Sequence, residues 1–346
     1  MAQQEKIKAI GLFSGGLDSQ LAIKVIQQQG IEVIAVNFYT GFCYATRNRR
    51  VGRWGKTSTQ YKARESAADL GVPVKVIDVS QAYISVILNP RHGYGSGMNP
   101  CLDCRIFMLR QAKAYMEQVG ARFVFTGEVL GQRPKSQHRE HLRLVERQSG
   151  MEGLLLRPLS AKLLPPTLPE QEGWVDREKL LAIGGRGRKE QIALAESLGM
   201  AEYPQPSGGC CFLPDPNFAR RLQDFIDHYS KDAVTPEQIM LLAVGRHFRL
   251  NPNLKVIVGR DEGENDYLAH AGAGQWQFTT IDHPGPIALT VDPLTSEQMT
   301  WVARLVARYS DGKREPQVRV QAQCGAQSQT LTVAPLSPQA VEKFRL

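Results

Sequence analysis

The sequence predicts an α/β protein: a doubly wound parallel sheet, then a helical connector and a small α+β C-terminal domain. Three observations predict it. Short apolar runs alternate with helical patterns over the first 126 residues, a Gly-rich loop sits at the first strand-to-helix junction, and beyond a proline cluster the pattern changes to short strands around one helix.

Residues 7–13 form a short apolar run that reads as a strand. Residues 18–29 put Leu21, Ala22, Val25 and Ile26 at helical spacing, with Gly30 as a C-terminal stop, and residues 31–39 are a second strand. A helix at 57–70 and a strand at 74–79 follow. Residues 104–119 then read as a helix through Ile106, Met108, Leu109, Ala112 and Met116, and 122–126 as a strand. Pro165, Pro166 and Pro169 break regular structure and mark a boundary. Helices are expected at 186–198, 218–229 and 236–242, with a loop at 203–216 between the first two. The last hundred residues read as strands at 255–258, 287–291, 317–321 and 330–333 with a helix at 296–309. The expected division is 1–165 for the α/β domain, 166–240 for the connector and 241–346 for the C-terminal domain.

Apolar residues make up 42% of the 346 and charged residues 22%, which suits a chain that buries a core and excludes disordered and collagen-like classes. The longest apolar runs fall far short of the roughly 18 residues of a membrane helix, and the N-terminus is polar, so a cytoplasmic protein without a membrane partner is expected. Lys and Arg exceed Asp and Glu by 42 to 34, a net charge of +8. The excess is local: no acid lies between Glu32 and Glu65, where Arg47, Arg49, Arg50, Arg53, Lys56, Lys62 and Arg64 all fall. The six cysteines, Cys43, Cys101, Cys104, Cys210, Cys211 and Cys324, are too few for a disulfide scaffold, and their clustering points to metal or redox chemistry.

Ser14-Gly15-Gly16-Leu17-Asp18-Ser19 joins the first strand to its helix. Backbone N–H groups and the helix dipole converge there on an anion, and the glycines let a phosphate approach the main chain. The loop lacks the Gly-Lys-Ser/Thr ending of a Walker motif and the spacing of a dinucleotide fingerprint. It resembles the PP-loop of ATP pyrophosphatases, which cleave ATP between the α- and β-phosphates and adenylate an oxygen to make it a leaving group. That resemblance implies that Ser14, Gly15, Gly16, Leu17, Asp18 and Ser19 hold ATP and Mg2+, with Asp18 catalytic. It also implies that Gly127, within Thr126-Gly127-Glu128, lines the nucleotide pocket.

Asn99-Pro100-Cys101-Leu102-Asp103-Cys104-Arg105 opens a helix, and Gly208-Gly209-Cys210-Cys211-Phe212 lies in a distant Gly/Pro-rich loop. Cysteines at a helix N-terminus suit nucleophiles or metal ligands; a structural zinc site would need a second pair. Both segments resemble the tRNA thiouridine synthetases, especially the 2-thiouridylases, over about residues 5–215. The resemblance implies catalytic Cys104 and Cys211, and a 4Fe-4S cluster held by Cys101, Cys104 and Cys211, with Cys210 as the alternative third ligand. A persulfide on Cys211 resolved by Cys104 is the competing mechanism, and both stay open. Sulfur would come from sulfide, or from a cysteine desulfurase or carrier.

Residues 131–147 carry Arg133, Lys135, Arg139, Arg143 and Arg147, and Arg186, Arg188 and Lys189 make another basic run, which together favour a phosphate backbone. Residues 255–266 and Asp282-His283-Pro284-Gly285-Pro286 resemble the RNA-binding domain of the NFACT family. No rhodanese-like domain and no long N-terminal RNA-binding segment is expected, so the C-terminal domain would grip tRNA in their place. The resulting expectation is an ATP-dependent tRNA sulfurtransferase making 2-thio- or 4-thiouridine. The alternative is a PP-loop enzyme that transfers sulfur or nitrogen to a small molecule.

Overall fold

The computed structural model describes residues 6–43, 67–200, 210–290 and 293–346. They divide into two compact units: residues 6–40 with 67–210, and residues 41–43 with those from 211 onward.

The first unit runs β1 (Lys8–Leu12), α1 (Leu17–Gln27), β2 (Glu32–Tyr39), β3 (Val74–Asp78), α2 (Ser80–Leu88), α3 (Cys101–Gln118), β4 (Phe123–Thr126), α4 (Arg139–Ser149), β5 (Leu155–Leu156), α5 (Leu168–Gln171) and α6 (Lys189–Ser197). The five strands are parallel in the order β3-β2-β1-β4-β5. Successive strand residues point to opposite faces, so each strand serves two cores. Ala9, Val33, Phe123 and Phe125 pack with Leu21, Ala22 and Val25 of α1 on one face. Ile10, Val36 and Val124 pack with Ile106, Leu109 and Ala112 of α3 and Val145 of α4 on the other. Gly11 has no side chain because the Phe125 ring fills its place: a Cβ there would lie 2.6 Å from the ring.

The α/β class and strands β1 to β4 agree with the sequence reading. Of the helix expected at 57–70, residues 57–66 lie outside the described residues, and 67–69 are helical. Four elements of this unit were not anticipated. The short α5 forms inside the proline cluster, because Pro169 falls in its first turn, where a proline is tolerated, and Thr167 caps it. α2 buries Tyr83, Ile84, Ile87 and Leu88, α4 arises inside what read as a basic stretch, and β5 is two residues long. Helix α3 begins at Cys101 instead of Cys104, because Pro100 takes the cap position and its carbonyl already accepts from the Cys104 N–H at 2.8 Å.

The second unit begins with α7 (Pro216–Tyr229) and α8 (Pro236–Ala243), each with Pro in its first turn and capped by Asp215 or Thr235. Then come β6 (Arg246–Asn251), β7 (Leu254–Val258), α9 (Glu262–Ala271), β8 (Gln277–Thr280), β9 (Ala288–Thr290), α10 (Ser296–Tyr309), β10 (Val318–Cys324), β11 (Gln327–Val333) and α11 (Pro338–Glu342). The six strands are antiparallel in the order β11-β10-β8-β9-β7-β6. Helix α10 covers one face through Met299, Val302, Ala303 and Val306. A buried ionic knot ties α7 to β6 and β7: Asp224 accepts from Lys255 Nζ at 2.8 Å and from Arg249 Nη2 at 2.8 Å. Burial lowers the Lys255 ammonium to about 8 against the pull of Asp224. Among the described residues, no helix is long and apolar enough to cross a membrane.

Candidate active site

In the order β3-β2-β1-β4-β5 the chain turns from one side of the sheet to the other between β1 and β4, and open α/β sheets take ligands beyond the carboxyl ends of the strands at that point. The loop after β1 holds Ser14, Gly15 and Gly16; the one after β4 holds Gly127. Gly15 has φ +77°, the left-handed region that glycine enters without strain. Gly16 caps α1, the Ser19 hydroxyl donates to the Gly16 carbonyl at 2.8 Å, and Gln20 Nε2 donates to the Gly15 carbonyl at 2.9 Å. These bonds fix the loop by its carbonyls and leave the first N–H groups of α1, from Leu17 through Ser19, at the positive end of the helix dipole. The Leu17 side chain is core, so this residue contributes only its backbone.

Gly127 touches that loop backbone to backbone. A Cβ on it would lie 2.5 Å from the Asp18 carbonyl carbon and oxygen and 2.6 Å from the Ser19 nitrogen. Asp18 Oδ2 accepts from Gln132 Nε2 at 3.2 Å, and Arg188 Nη2 stands 3.9 Å from Oδ1. Oδ1 is buried and accepts no hydrogen bond among the described residues. An acceptor left open beside a phosphate cradle suits Mg2+, which takes one or two carboxylates and completes its shell from phosphates and water. The residues present therefore fit Mg-ATP.

Cys101 and Cys104 lie on the first turns of α3, at the same end of the sheet, since a helix between parallel strands starts where the strands end. Cys210 joins them within the unit and accepts from Arg133 Nη1 at 3.7 Å. Burial pushes the Cys101 thiol up, and the nearby Cys210 adds to this. Cys104 keeps part of its surface open, yet its sulfur sits deep enough that burial, with Cys210 and Cys101 adding, pushes the thiol up to about 12 against a bond to Tyr83. The three sulfurs thus lie within one another's fields. Cys211 belongs to the second unit. Among the described residues, no three His, Cys, Asp or Glu side chains are placed to enclose a metal. The sulfurs as placed do not form a ligand set for a 4Fe-4S cluster.

An ion network missed by the sequence reading lies between the thiols and the nucleotide loop. Glu128, expected to line the pocket with Gly127, turns inward. It meets Arg105 Nε at 3.3 Å and Arg157 Nε at 3.1 Å, and Arg157 also bonds Glu146. Burial by itself would raise the Glu128 carboxyl, but Arg105 and Arg157 outweigh it and hold the carboxyl below the usual range. A lone Arg157 inside the apolar run Leu154-Leu155-Leu156-Arg157-Pro158-Leu159 was the available signal, since an arginine there needs a buried partner.

The fold and this site define a nucleotide-binding α/β domain of the PP-loop kind joined to an antiparallel-sheet domain. Residues 7–164 match the family model "tRNA methyl transferase HUP domain", and residues 245–345 match "NFACT protein RNA binding domain". The first part of the chain is thus similar to the PP-loop tRNA thiouridylases, and its last hundred residues are similar to the NFACT RNA-binding domain. It is 24% identical over 335 residues to the tRNA-specific 2-thiouridylase MnmA of Psychromonas ingrahamii, covering 88% of this chain and 81% of that protein. With the MnmA of Acidithiobacillus ferrooxidans it shares 27% over 223 residues, 63% of this chain and 57% of that protein. Among solved structures, a 4-thiouridine synthetase in complex with RNA and bound ATP aligns with 68% of this chain and 53% of its own at 20% identity, with a TM-score of 0.37. The C-terminal part of a fibronectin/fibrinogen-binding protein from Streptococcus suis aligns with 52% of this chain and 84% of its own at 15% identity, with a TM-score of 0.28.

Proposed function

We propose that the protein is a cytoplasmic, ATP-dependent tRNA sulfurtransferase that replaces a uridine carbonyl oxygen by sulfur. The observation that carries this reading is the pairing of two sites at one end of one sheet: a phosphate cradle with an open Asp18 oxygen, and the thiols of Cys101 and Cys104 on the first turns of α3 with Cys210 near them. The match of residues 245–345 to an RNA-binding domain supports a nucleic acid as the substrate.

The loop Ser14–Ser19 binds the β- and γ-phosphates, and Asp18 holds the Mg2+ that neutralises them. The uridine oxygen attacks the α-phosphorus, the bond to the β-phosphate oxygen breaks, and pyrophosphate leaves. A sulfur nucleophile adds to the activated carbon, and the C–O bond to AMP breaks. Hydrosulfide leaves the thiouridine directly, whereas a persulfide leaves a C–S–S link whose S–S bond a second thiol breaks, and the disulfide so formed is reopened by an external dithiol reductant. Holding both reactants at one pocket supplies much of the rate. The thiols of Cys104 and of Cys210 or Cys211 are the residues for sulfur delivery. Burial pushes the Cys104 thiol up to about 12, so it becomes a nucleophile only when a base takes its proton.

The test is nucleotide analysis after incubation of the full chain with Mg-ATP and unmodified tRNA. AMP and pyrophosphate are expected, at a rate that rises with tRNA. ADP as product, or AMP formation indifferent to tRNA, overturns the reading in favour of another acceptor. Cys101→Ala, Cys104→Ala and Cys211→Ala are expected to lose thiolation while binding ATP, and full activity in all three rejects the thiol assignment.

A further inference from the structure

Helix α4 carries Arg139, Arg143 and Arg147 at intervals of four residues, all exposed. Four residues rise about 6 Å along a helix, so the three guanidinium groups form one ridge. Among the described residues none of them is ion-paired; Arg139 donates only to the Leu163 carbonyl, at 2.9 Å. Two more cations lie against the end of this helix. Arg110 of α3 donates to the Gln148 carbonyl at 3.2 and 2.8 Å, and the Lys113 ammonium lies beside Gly150. Like charges four apart repel and oppose the helix. The acids of the helix do not answer the row: Glu146 bonds Arg157, and Glu140 forms no ion pair with the three among the described residues, which leaves a surface that meets an anion from outside.

The ridge borders a cavity of about 250 Å³. Arg139 and Arg143 stand at it, Leu142 and Leu155 give it apolar walls, and Pro165 closes another side. Its acids Glu146 and Glu170 are taken by Arg157 and Arg177, so the arginines set the charge there, with Glu152 the remaining acid. Arg157 also lines the cavity. It is 3% exposed, and its Nη2 has no hydrogen-bond partner among the described residues. A buried donor with no acceptor is costly, and a base carbonyl would satisfy it.

We propose that the α4 ridge and this cavity form an RNA subsite on the PP-loop unit: the arginines hold successive phosphates of one strand, and the cavity takes the base of one unpaired nucleotide. Single-stranded RNA is read in this way, with splayed bases hydrogen-bonded in pockets and lying against guanidinium planes. The inference rests on the proposed function, which makes RNA the substrate. It goes further in placing part of the RNA grip outside residues 245–345.

The test uses the full-length protein. Unmodified tRNA binding is followed by fluorescence anisotropy over a salt series, for the wild type and for the triple variant Arg139→Gln/Arg143→Gln/Arg147→Gln. Each phosphate contact contributes about 0.7–0.9 to the slope of log K against log salt, so losing three flattens the slope by about 2–3 and weakens binding about tenfold or more near 0.15 M salt. The melting temperature and ATP binding of the variant are expected to stay at wild-type values, which separates this outcome from misfolding. Ultraviolet cross-linking of wild-type protein to the tRNA, mapped by peptide mass spectrometry, is expected to yield adducts within residues 139–167. An unchanged affinity and slope in the triple variant, or cross-links confined to 245–345, overturns the subsite. Wild-type protein that binds no tRNA overturns the proposed function instead.

Discussion

Replacing Gly127 by Ala adds one methyl group at the most crowded backbone contact of the candidate site. The new Cβ would fall 2.5 Å from the Asp18 carbonyl carbon and oxygen and 2.6 Å from the Ser19 nitrogen. Ordinary contacts between such atoms are near 3.5–4.0 Å, so the two loops must part by about 1 Å. The three nearest opposing atoms are all main chain, so no flexible side chain yields there. Overpacking of this kind costs about 1–3 kcal/mol, or roughly 2–12 °C in melting temperature for a unit of this size. The functional loss is larger, because a shift of about 1 Å in a phosphate-positioning loop costs on the order of a hundredfold in rate. Differential scanning fluorimetry gives the first quantity, and AMP release from Mg-ATP in the presence of tRNA gives the second. Gly187→Ala is the control: a Cβ there meets nothing within 4 Å, so it is expected to change stability by no more than about 0.5 kcal/mol. Wild-type AMP release by Gly127→Ala would refute the contact between the β4 loop and the PP-loop as the basis of nucleotide positioning.

Three further outcomes are expected. Glu128 has its folded pKa held below the ordinary value of 4.5, so its stabilisation is complete above about pH 4.5 and is lost as pH falls through the folded value. Glu128→Gln, which takes a counter-charge from buried Arg157 at a cost of about 3–5 kcal/mol, is therefore expected to melt well below wild type at pH 7. The gap should close in acid, and a gap independent of pH contradicts the ion network. In alkylation with iodoacetamide at pH 8, the exposed Cys210 is expected to react well before Cys104, whose thiol is pushed up to about 12; peptide mass spectrometry measures the order, and equal rates contradict it. Asp18→Asn is expected to fold normally, since among the described residues the side chain only accepts from Gln132 and stands 3.9 Å from Arg188, yet to lose AMP release by about a hundredfold or more through weakened Mg2+ binding. Retained activity at low Mg2+ rejects that role.

The legible parts of the chain were those in which a local pattern matches a local structure. β1, α1 and β2 each carry their own periodicity, and the loop between β1 and α1 is a contiguous hexapeptide, so both the fold class and the strand-to-helix junction that holds the candidate phosphate loop could be read directly. Helix α4 was hidden because its apolar residues, Leu142, Leu144 and Val145, are outnumbered by charges that happen to line its outer face. Strand β5 is too short to show a period and exists because β4 offers it an edge. The start of α3 was misplaced by three residues because a proline at the cap reads as a break. The network of Arg105, Glu128, Arg157 and Glu146 could not be read, since its partners are brought together only by the sheet order and by α3 packing against α4. Arg157 was visible as an anomaly but not as a partner.

The central claim is that this site thiolates a uridine of tRNA, and nucleoside mass spectrometry measures it most directly. Unmodified tRNA is incubated anaerobically with the full-length protein, Mg-ATP and sulfide, digested to nucleosides and separated. A thiouridine that requires ATP is expected, with retention distinguishing the 2-thio from the 4-thio isomer, and Asp18→Asn is expected to yield none. AMP formation with no thionucleoside, under conditions in which tRNA is bound, would contradict the claim.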